Sequence, residues 1–262
     1  MIGMNNLGNN GRLGNQMFQY ASLVGVAKKR NFGWCIPEKQ DLSKGFELKN
    51  LKHFGYIDGS ELILHESHEF CEELMYECPD EVTFNGYFQS EKYFRHVEDI
   101  IREEFTFKDF VLDSVLADFS LDLLRDSVSI VVRRYEDSFD YPGCDRNHRN
   151  LPVEYYSEAI KYFGKDRKYI ICSNNIEWCK SQEIFYGDNF IFNEKTKGPF
   201  YDLCLTSLCK DYIISNSTFS WWGAWLGNRN KKVLSPSTWY GPGLSHINTD
   251  DLFPSEWVKI DL

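Results

Sequence analysis

Residues 212–226 read Tyr-Ile-Ile-Ser-Asn-Ser-Thr-Phe-Ser-Trp-Trp-Gly-Ala-Trp-Leu, and their order narrows the fold more than any other stretch. An apolar run, 212–214, gives way to four small polar residues, 215–218. An aromatic-rich apolar segment then runs to Gly227-Asn228. This is the order of a buried strand, a tight loop and a helix N-terminus. Such a junction offers backbone N–H groups and hydroxyls to an anion. Upstream, Val128-Ser129-Ile130-Val131-Val132 reads as a second buried strand and ends in Arg133-Arg134. One strand end presents donors and the other guanidinium groups, which together suit a diphosphate.

The same alternation recurs along the chain. Strands are expected at 1–4, 82–88, 128–132, 169–172, 190–192, 212–214 and 232–234. Met17, Tyr20, Ala21, Val24 and Ala27 are spaced as one face of a helix that ends in Lys28-Lys29-Arg30, cations at the negative end of its dipole. Helical spacing also marks 90–105, 152–163 and 201–208. Residues 58–81 hold nine acidic residues and no Lys or Arg, which reads as a solvated surface or irregular connection. Two successive α/β patterns predict two Rossmann-like lobes facing a ligand cleft, 1–125 and 126–245, followed by a tail, 246–262.

The charge balance excludes one class of partner. A net charge of −10 over 262 residues leaves no basic stripe for nucleic acid. The N-terminus lacks the pattern of a signal peptide, and no apolar run approaches the roughly 18 residues of a membrane span. A cytoplasmic protein is expected, with peripheral membrane contact left open. Eight cysteines at 35, 71, 78, 144, 172, 179, 204 and 209 form no Cys-x-x-Cys pair and read as reduced thiols.

Each candidate cluster has a plain reading beside its chemical one. Gly8, Gly11 and Gly14 make neither a dinucleotide fingerprint nor a P-loop, so their loop is a turn or a ligand loop, with Arg12 facing an anion or water. Arg133 and Arg134 suit a solvated edge. They also follow a strand that reads as buried, which sets them where open α/β sheets bind ligands. Arginine holds phosphate well because it is always charged and bonds bidentately. Glu136 and Asp137 are bases or ion-pair partners of those arginines. Trp221, Trp222 and Trp225 read as core. His65, Glu66, His68, Glu69 and Cys71 lack the spacing of a metal site, and no Asp-x-Asp tripeptide is present to hold a metal-bound diphosphate.

Taken together, the motifs resemble those of the family 11 glycosyltransferases, the α-1,2-fucosyltransferases. Gly11-Arg12-Leu13-Gly14-Asn15-Gln16-Met17-Phe18-Gln19-Tyr20-Ala21 is similar to that family's N-terminal signature, and Gly86-Tyr87-Phe88-Gln89-Ser90 to its second segment. Leu151-Pro152 through Tyr155-Tyr156, with Ala159-Ile160, resembles a third, followed by Ser173 and Glu177-Trp178-Cys179. Asn216-Ser217-Thr218-Phe219-Ser220-Trp221-Trp222-Gly223-Ala224-Trp225 is similar to its most recognisable block. Asp251-Leu252-Phe253-Pro254 and Trp257 resemble its ending.

The resemblance implies a GT-B architecture and inverting transfer of L-fucose from GDP-fucose to a galactose hydroxyl of a glycan, with no cofactor and no required metal. It also implies a bacterial polysaccharide as the product's destination. The second lobe would bind the donor, and Arg133 and Arg134 fall on the arginine pair of the His-x-Arg-Arg-x-Asp motif that holds the β-phosphate. The site expected from residues and resemblance together is Arg133, Glu136 and Asp137 for catalysis. Gly14, Asn15, Gln16, Arg133, Arg134, Ser173, Asn174, Asn175, Asn216, Ser217, Thr218, Phe219 and Ser220 are expected to bind the donor.

The chain departs from the pattern in two places. Val131 stands at the family's His, with Tyr135 and Glu136 at its Gly-Asp. Ser173-Asn174-Asn175 stands at its Ser-Asp-Asp. An Asn offers one acceptor oxygen where a carboxylate offers two, so the base-reading part is altered while the phosphate-handling part is intact. Another nucleotide-sugar donor, or sugar-nucleotide or glycan binding without catalysis, are the alternatives.

Overall fold

The computed structural model describes residues 1–63, 69–135 and 146–261. They cluster into two compact units, Met1–Lys108 with Ile247–Pro254, and Asp109–His246 with Ser255–Leu262.

The first unit holds β1 (Ile2–Gly3), β2 (Trp34–Cys35), β3 (Ser60–Ile63) and β4 (Val82–Asn85) in one parallel sheet, ordered β2-β1-β4-β3. Helix α1 (Leu13–Arg30) is buried through Ala27 except at the half-buried Asn15, and is exposed in its basic last turn. Asn31 closes it in the left-handed conformation, φ 57°. At Gly25 an added Cβ would lie 2.0 Å from the Tyr93 carbonyl oxygen, so only glycine admits that backbone. Below α1 the fully buried Glu104 accepts from the Tyr20 hydroxyl and from the Asn50 N–H, each at 2.6 Å.

One expectation holds in part and another fails: the acidic side chains described in 58–81 are exposed, as a solvated surface requires, but the stretch is not irregular throughout. The acidic stretch 58–81 contains a strand, β3, and a helix, α2 (Glu72–Glu77). Strand β3 is an edge strand, where an exposed Glu61 is tolerated and discourages further pairing. The helix expected over 90–105 is broken into two 3-10 turns, Glu91–Tyr93 and Arg95–Val97, before α3 (Glu98–Glu104). The break buries two adjacent aromatics at once: Tyr93 packs on Phe70 and Phe88, and Phe94 on Phe18. Neighbouring residues of an unbroken helix do not share a face.

The second unit begins with α4 (Asp109–Leu116) and α5 (Leu121–Asp126). The chain then alternates through β5 (Ser127–Val132), α6 (Val153–Phe163), β6 (Lys168–Ser173), α7 (Ile176–Lys180), β7 (Phe190–Phe192), α8 (Pro199–Ser207), β8 (Asp211–Ile213), α9 (Thr218–Leu226), β9 (Val233–Pro236) and β10 (Val258–Ile260). The six strands are parallel, in the order β10-β9-β8-β5-β6-β7. Counted from β5 this is 6-5-4-1-2-3, the Rossmann order, whose direction reverses between β5 and β8. Central strands of such a sheet are covered on both faces, and all six residues of β5 are buried. The Tyr155 hydroxyl of α6 donates to the Ile214 carbonyl at 2.6 Å and lies 3.2 Å from that of Leu234, tying the helix to two strands.

The tryptophans are core, as their spacing suggested. Trp221 and Trp222 are fully buried, Trp221 stacks on Trp225 at 6.3 Å, and Trp257 meets Trp221 at 5.2 Å. Among the described residues no helix is long and apolar enough to cross a membrane, no group of three or more His, Cys, Asp or Glu side chains is placed to hold a metal ion, and every cysteine is unbridged.

Candidate active site

In an open α/β sheet the ligand crevice lies beyond the carboxyl ends of the strands at the reversal point. In the second unit that point is fixed by β5 and β8. The residue after β5 is Arg133, then Arg134, both half-buried. After β8 come Ile214 and Ser215, then Asn216 and Ser217, and α9 starts at Thr218. Strand β6, on the other side of β5, ends at Ser173 and continues into Asn174 and Asn175. The fold therefore gathers three of the expected segments, 130 to 220 in sequence, at one edge of one sheet.

The turn between β8 and α9 is held from inside. Ser220 is buried, its Oγ 2.8 Å from the carbonyls of both Ser215 and Ser217. Asn216 is also buried, and its amide donates to the carbonyls of Arg149 at 2.7 Å and Trp239 at 2.9 Å. Ser217 is the N-cap, but its hydroxyl does not cap the helix. Ser217, Thr218 and Phe219 are only half-buried. The first turn of α9 carries no acidic side chain, so its backbone N–H groups and the dipole present positive potential beside Arg133 and Arg134.

The asparagines of the β6–α7 turn bond to the backbone around them. Asn174 accepts from the Arg134 N–H at 2.9 Å and donates to the Arg134 carbonyl at 2.7 Å. This adds one rung to the β5–β6 ladder, past its last pair Val132–Ser173. Asn175 caps α7 by accepting from the Trp178 N–H at 2.9 Å, and its own N–H donates to the Ser173 hydroxyl at 3.0 Å. The cap fixes Trp178, whose ring lies 4.3 Å from the Arg134 guanidinium carbon. Both residues thus set the backbone and side chain of Arg134.

Gly14, Asn15 and Gln16 lie in the first unit, in the opening turn of α1. Gln16 is tied to the next loop, donating to the Asp41 carboxylate at 2.8 Å and accepting from the Asp41 N–H at 2.9 Å. Asn15 accepts from the Gln89 amide at 3.1 Å. Glu136 and Asp137 lie outside the described residues, as do His65, Glu66 and His68.

At this edge Tyr135 was marked in the sequence only as a departure from the motif, and His148 and Asn150 were not singled out. Tyr135 is buried, its ring 5.3 Å from the Arg133 guanidinium carbon and stacked on His148 at 4.8 Å with planes 13° apart. Burial, and then the charge of Arg133, hold the His148 imidazole below its usual range, so it is neutral near pH 7. Asn150 accepts from the Tyr135 N–H at 2.9 Å. The only hint in the sequence was proximity to Leu151-Pro152, within one of the matched segments. A cavity of about 360 Å³ lined by Tyr162, Arg167, Lys210, Asp211 and Lys232 opens at the amino-terminal edge of the same sheet, away from these strand ends. There Arg167 already pairs with Asp211 at 3.0 Å.

Two Rossmann-like units, each built on a parallel sheet, define an α/β protein of the GT-B type. The chain belongs to glycosyl transferase family 11, whose model matches residues 1–261, and is accordingly a glycosyltransferase. It is 30% identical over 253 residues to an alpha-1,2-colitosyltransferase of Escherichia coli, covering 83% of this chain and 86% of that one. It is 28% identical over 252 residues to the galactoside alpha-(1,2)-fucosyltransferase 1 of Homo sapiens, covering 87% and 67%. In fold it resembles the NodZ alpha-1,6-fucosyltransferase of Bradyrhizobium in a crystal soaked with GDP-fucose. The TM-score is 0.51 at 11% identity, over 86% of this chain and 92% of that one.

Proposed function

We propose that this chain moves L-fucose from GDP-fucose to a galactose-type hydroxyl of a glycan, forming an α-1,2 linkage with inversion and without a metal ion. One observation carries the reading: in a family 11 glycosyltransferase, Arg133, Arg134 and the α9 N-terminus meet at the reversal point of a Rossmann sheet. The second unit would serve the donor and the first the acceptor, with the turn at Gly14, Asn15 and Gln16 adding donor contacts. The acceptor oxygen attacks the anomeric carbon, the bond from that carbon to the β-phosphate oxygen breaks, and its electron pair leaves on GDP. Arg133 and the first turn of α9 stabilise the charge growing on the β-phosphate, and Arg134 holds the diphosphate. In this reading Ser173, Asn174 and Asn175 shape the donor site through Arg134; the amide oxygens of the two asparagines accept from the Arg134 and Trp178 N–H groups, and the Ser173 hydroxyl accepts from the Asn175 N–H.

The acceptor proton goes to a carboxylate, a role we assign to Glu136 or Asp137. Replacing the base by its amide is expected to cost about 10²–10⁴ in turnover and to remove the acidic limb of the pH–rate profile. Unchanged profiles in both Glu136→Gln and Asp137→Asn would strike these two from the mechanism.

A second donor is favoured by the 30% identity to a colitosyltransferase, because colitose is fucose without its 3-hydroxyl. Assays with GDP-fucose and GDP-colitose on a β-galactoside acceptor, with the product linkage read by NMR, test both. Transfer from either to O2 supports the reading. Transfer only from a UDP- or TDP-sugar moves the donor assignment, and GDP binding with no transfer to any galactoside favours a binding protein. We place the reaction in the bacterial cytoplasm, on a polysaccharide or oligosaccharide precursor.

A further inference from the structure

We propose that Tyr135 is a positioning residue that clamps the carboxyl end of β5 to the β8–α9 turn, and thereby sets Arg133 and Arg134 against the α9 N-terminus. The inference rests on the phosphate-handling role given to those groups above. The Tyr135 hydroxyl donates to the Asn216 carbonyl at 2.6 Å in a buried setting, across 81 residues of sequence. Its N–H donates to Asn150 at 2.9 Å. Asn216 in turn donates to the Arg149 carbonyl at 2.7 Å. The three bonds close a ring through Tyr135, Asn216 and the Arg149-Asn150 peptide, joining the arginine end, the turn before α9 and the segment leading into α6.

The ring of Tyr135 adds a lateral constraint. The Arg133 guanidinium carbon lies 5.3 Å from its centre, and His148 is stacked on it at 4.8 Å. A guanidinium beside an aromatic ring is attracted to it. A glycine at this position would supply neither the ring nor the hydroxyl. Removing only the hydroxyl leaves the buried Asn216 carbonyl without its donor and loosens the turn from the arginines. Preorganised charge stabilisation is sensitive to such slippage.

A double-mutant cycle of Tyr135→Phe and Arg133→Ala tests this, read by kcat with GDP-fucose, by calorimetric Kd for inorganic pyrophosphate, and by melting. Tyr135→Phe alone is expected to lower kcat about tenfold and to weaken pyrophosphate binding about fivefold. On the Arg133→Ala background the same change is expected to cost less than about twofold in either, because the clamp acts through that arginine. A purely structural role would shift melting and leave the two effects additive. Additivity, or a Tyr135→Phe protein with wild-type kcat and Kd, overturns the proposal. If the wild type transfers no fucose, the donor reading fails on its own, and the pyrophosphate cycle still decides the role of Tyr135.

Discussion

Arg133→Ala is expected to lower turnover by about 10²–10³, the loss of roughly 3–4 kcal/mol seen when one preorganised donor to a developing oxyanion is removed. The magnitude follows from placement. Arg133 follows a fully buried strand, β5, whose neighbour β8 leads into the acid-free first turn of α9, so in the proposed site its charge is placed before the reaction begins. In the proposed reaction charge on the β-phosphate grows as the bond to the anomeric carbon breaks, so the Arg133 interaction would be stronger in the transition state than in the bound donor. The loss should therefore fall mainly on kcat, with a smaller rise in the donor KM. Melting should change less than turnover, because Arg133 is only half-buried and its ring contact is with Tyr135 at the strand end. Steady-state kinetics and a thermal scan on the same preparation check both parts. Near-normal turnover would remove Arg133 from the phosphate site.

Trp221→Ala is expected to act in the opposite way, on the fold. The indole is fully buried and touches Trp222, Trp225 and Trp257 at ring distances of 5.0, 6.3 and 5.2 Å. Cutting a buried Trp to Ala costs about 3–5 kcal/mol, a large share of the roughly 5–15 kcal/mol that holds a domain together. For a unit of this size that is a fall of about 6–20 °C in the melting midpoint. The cavity would sit under the helix whose first turn is offered to the phosphate, so activity should decline only as the folded fraction declines. Melting unchanged within a degree or two would mean the four tryptophans are not one packed cluster.

The parts of this molecule that were readable from sequence are those whose cause is local. Strands β5 and β8 announce themselves as apolar runs stopped by polar residues, and α1 by its apolar spacing and basic last turn. The edge strand β3 hid behind Glu61 and its acidic neighbours, because an edge needs no apolar face on its open side. The order of strands in each sheet is not a local property at all. It was the order that placed the β5, β6 and β8 ends side by side, including the pairing of Val131 with Cys172 and of Ile130 with Ile213.

The site divides in the same way. Arg133, Arg134 and the Asn216 to Thr218 turn were visible because charge and small polar residues follow buried strands. The backbone contacts of Asn174 and Asn175 were not, since a helix cap, a backbone rung and base recognition all use the same amide groups. Tyr135 looked like a defect in a motif. Its hydroxyl bonds to a carbonyl 81 residues away, which no spacing rule reaches.

The most direct test of the central claim is a calorimetric titration of the wild-type protein with GDP in EDTA, with UDP, ADP and TDP as controls and Arg133→Ala alongside. The account predicts selective GDP binding without a metal, weakened in the variant. Binding of none of these diphosphates, or equal binding by wild type and Arg133→Ala, would contradict it.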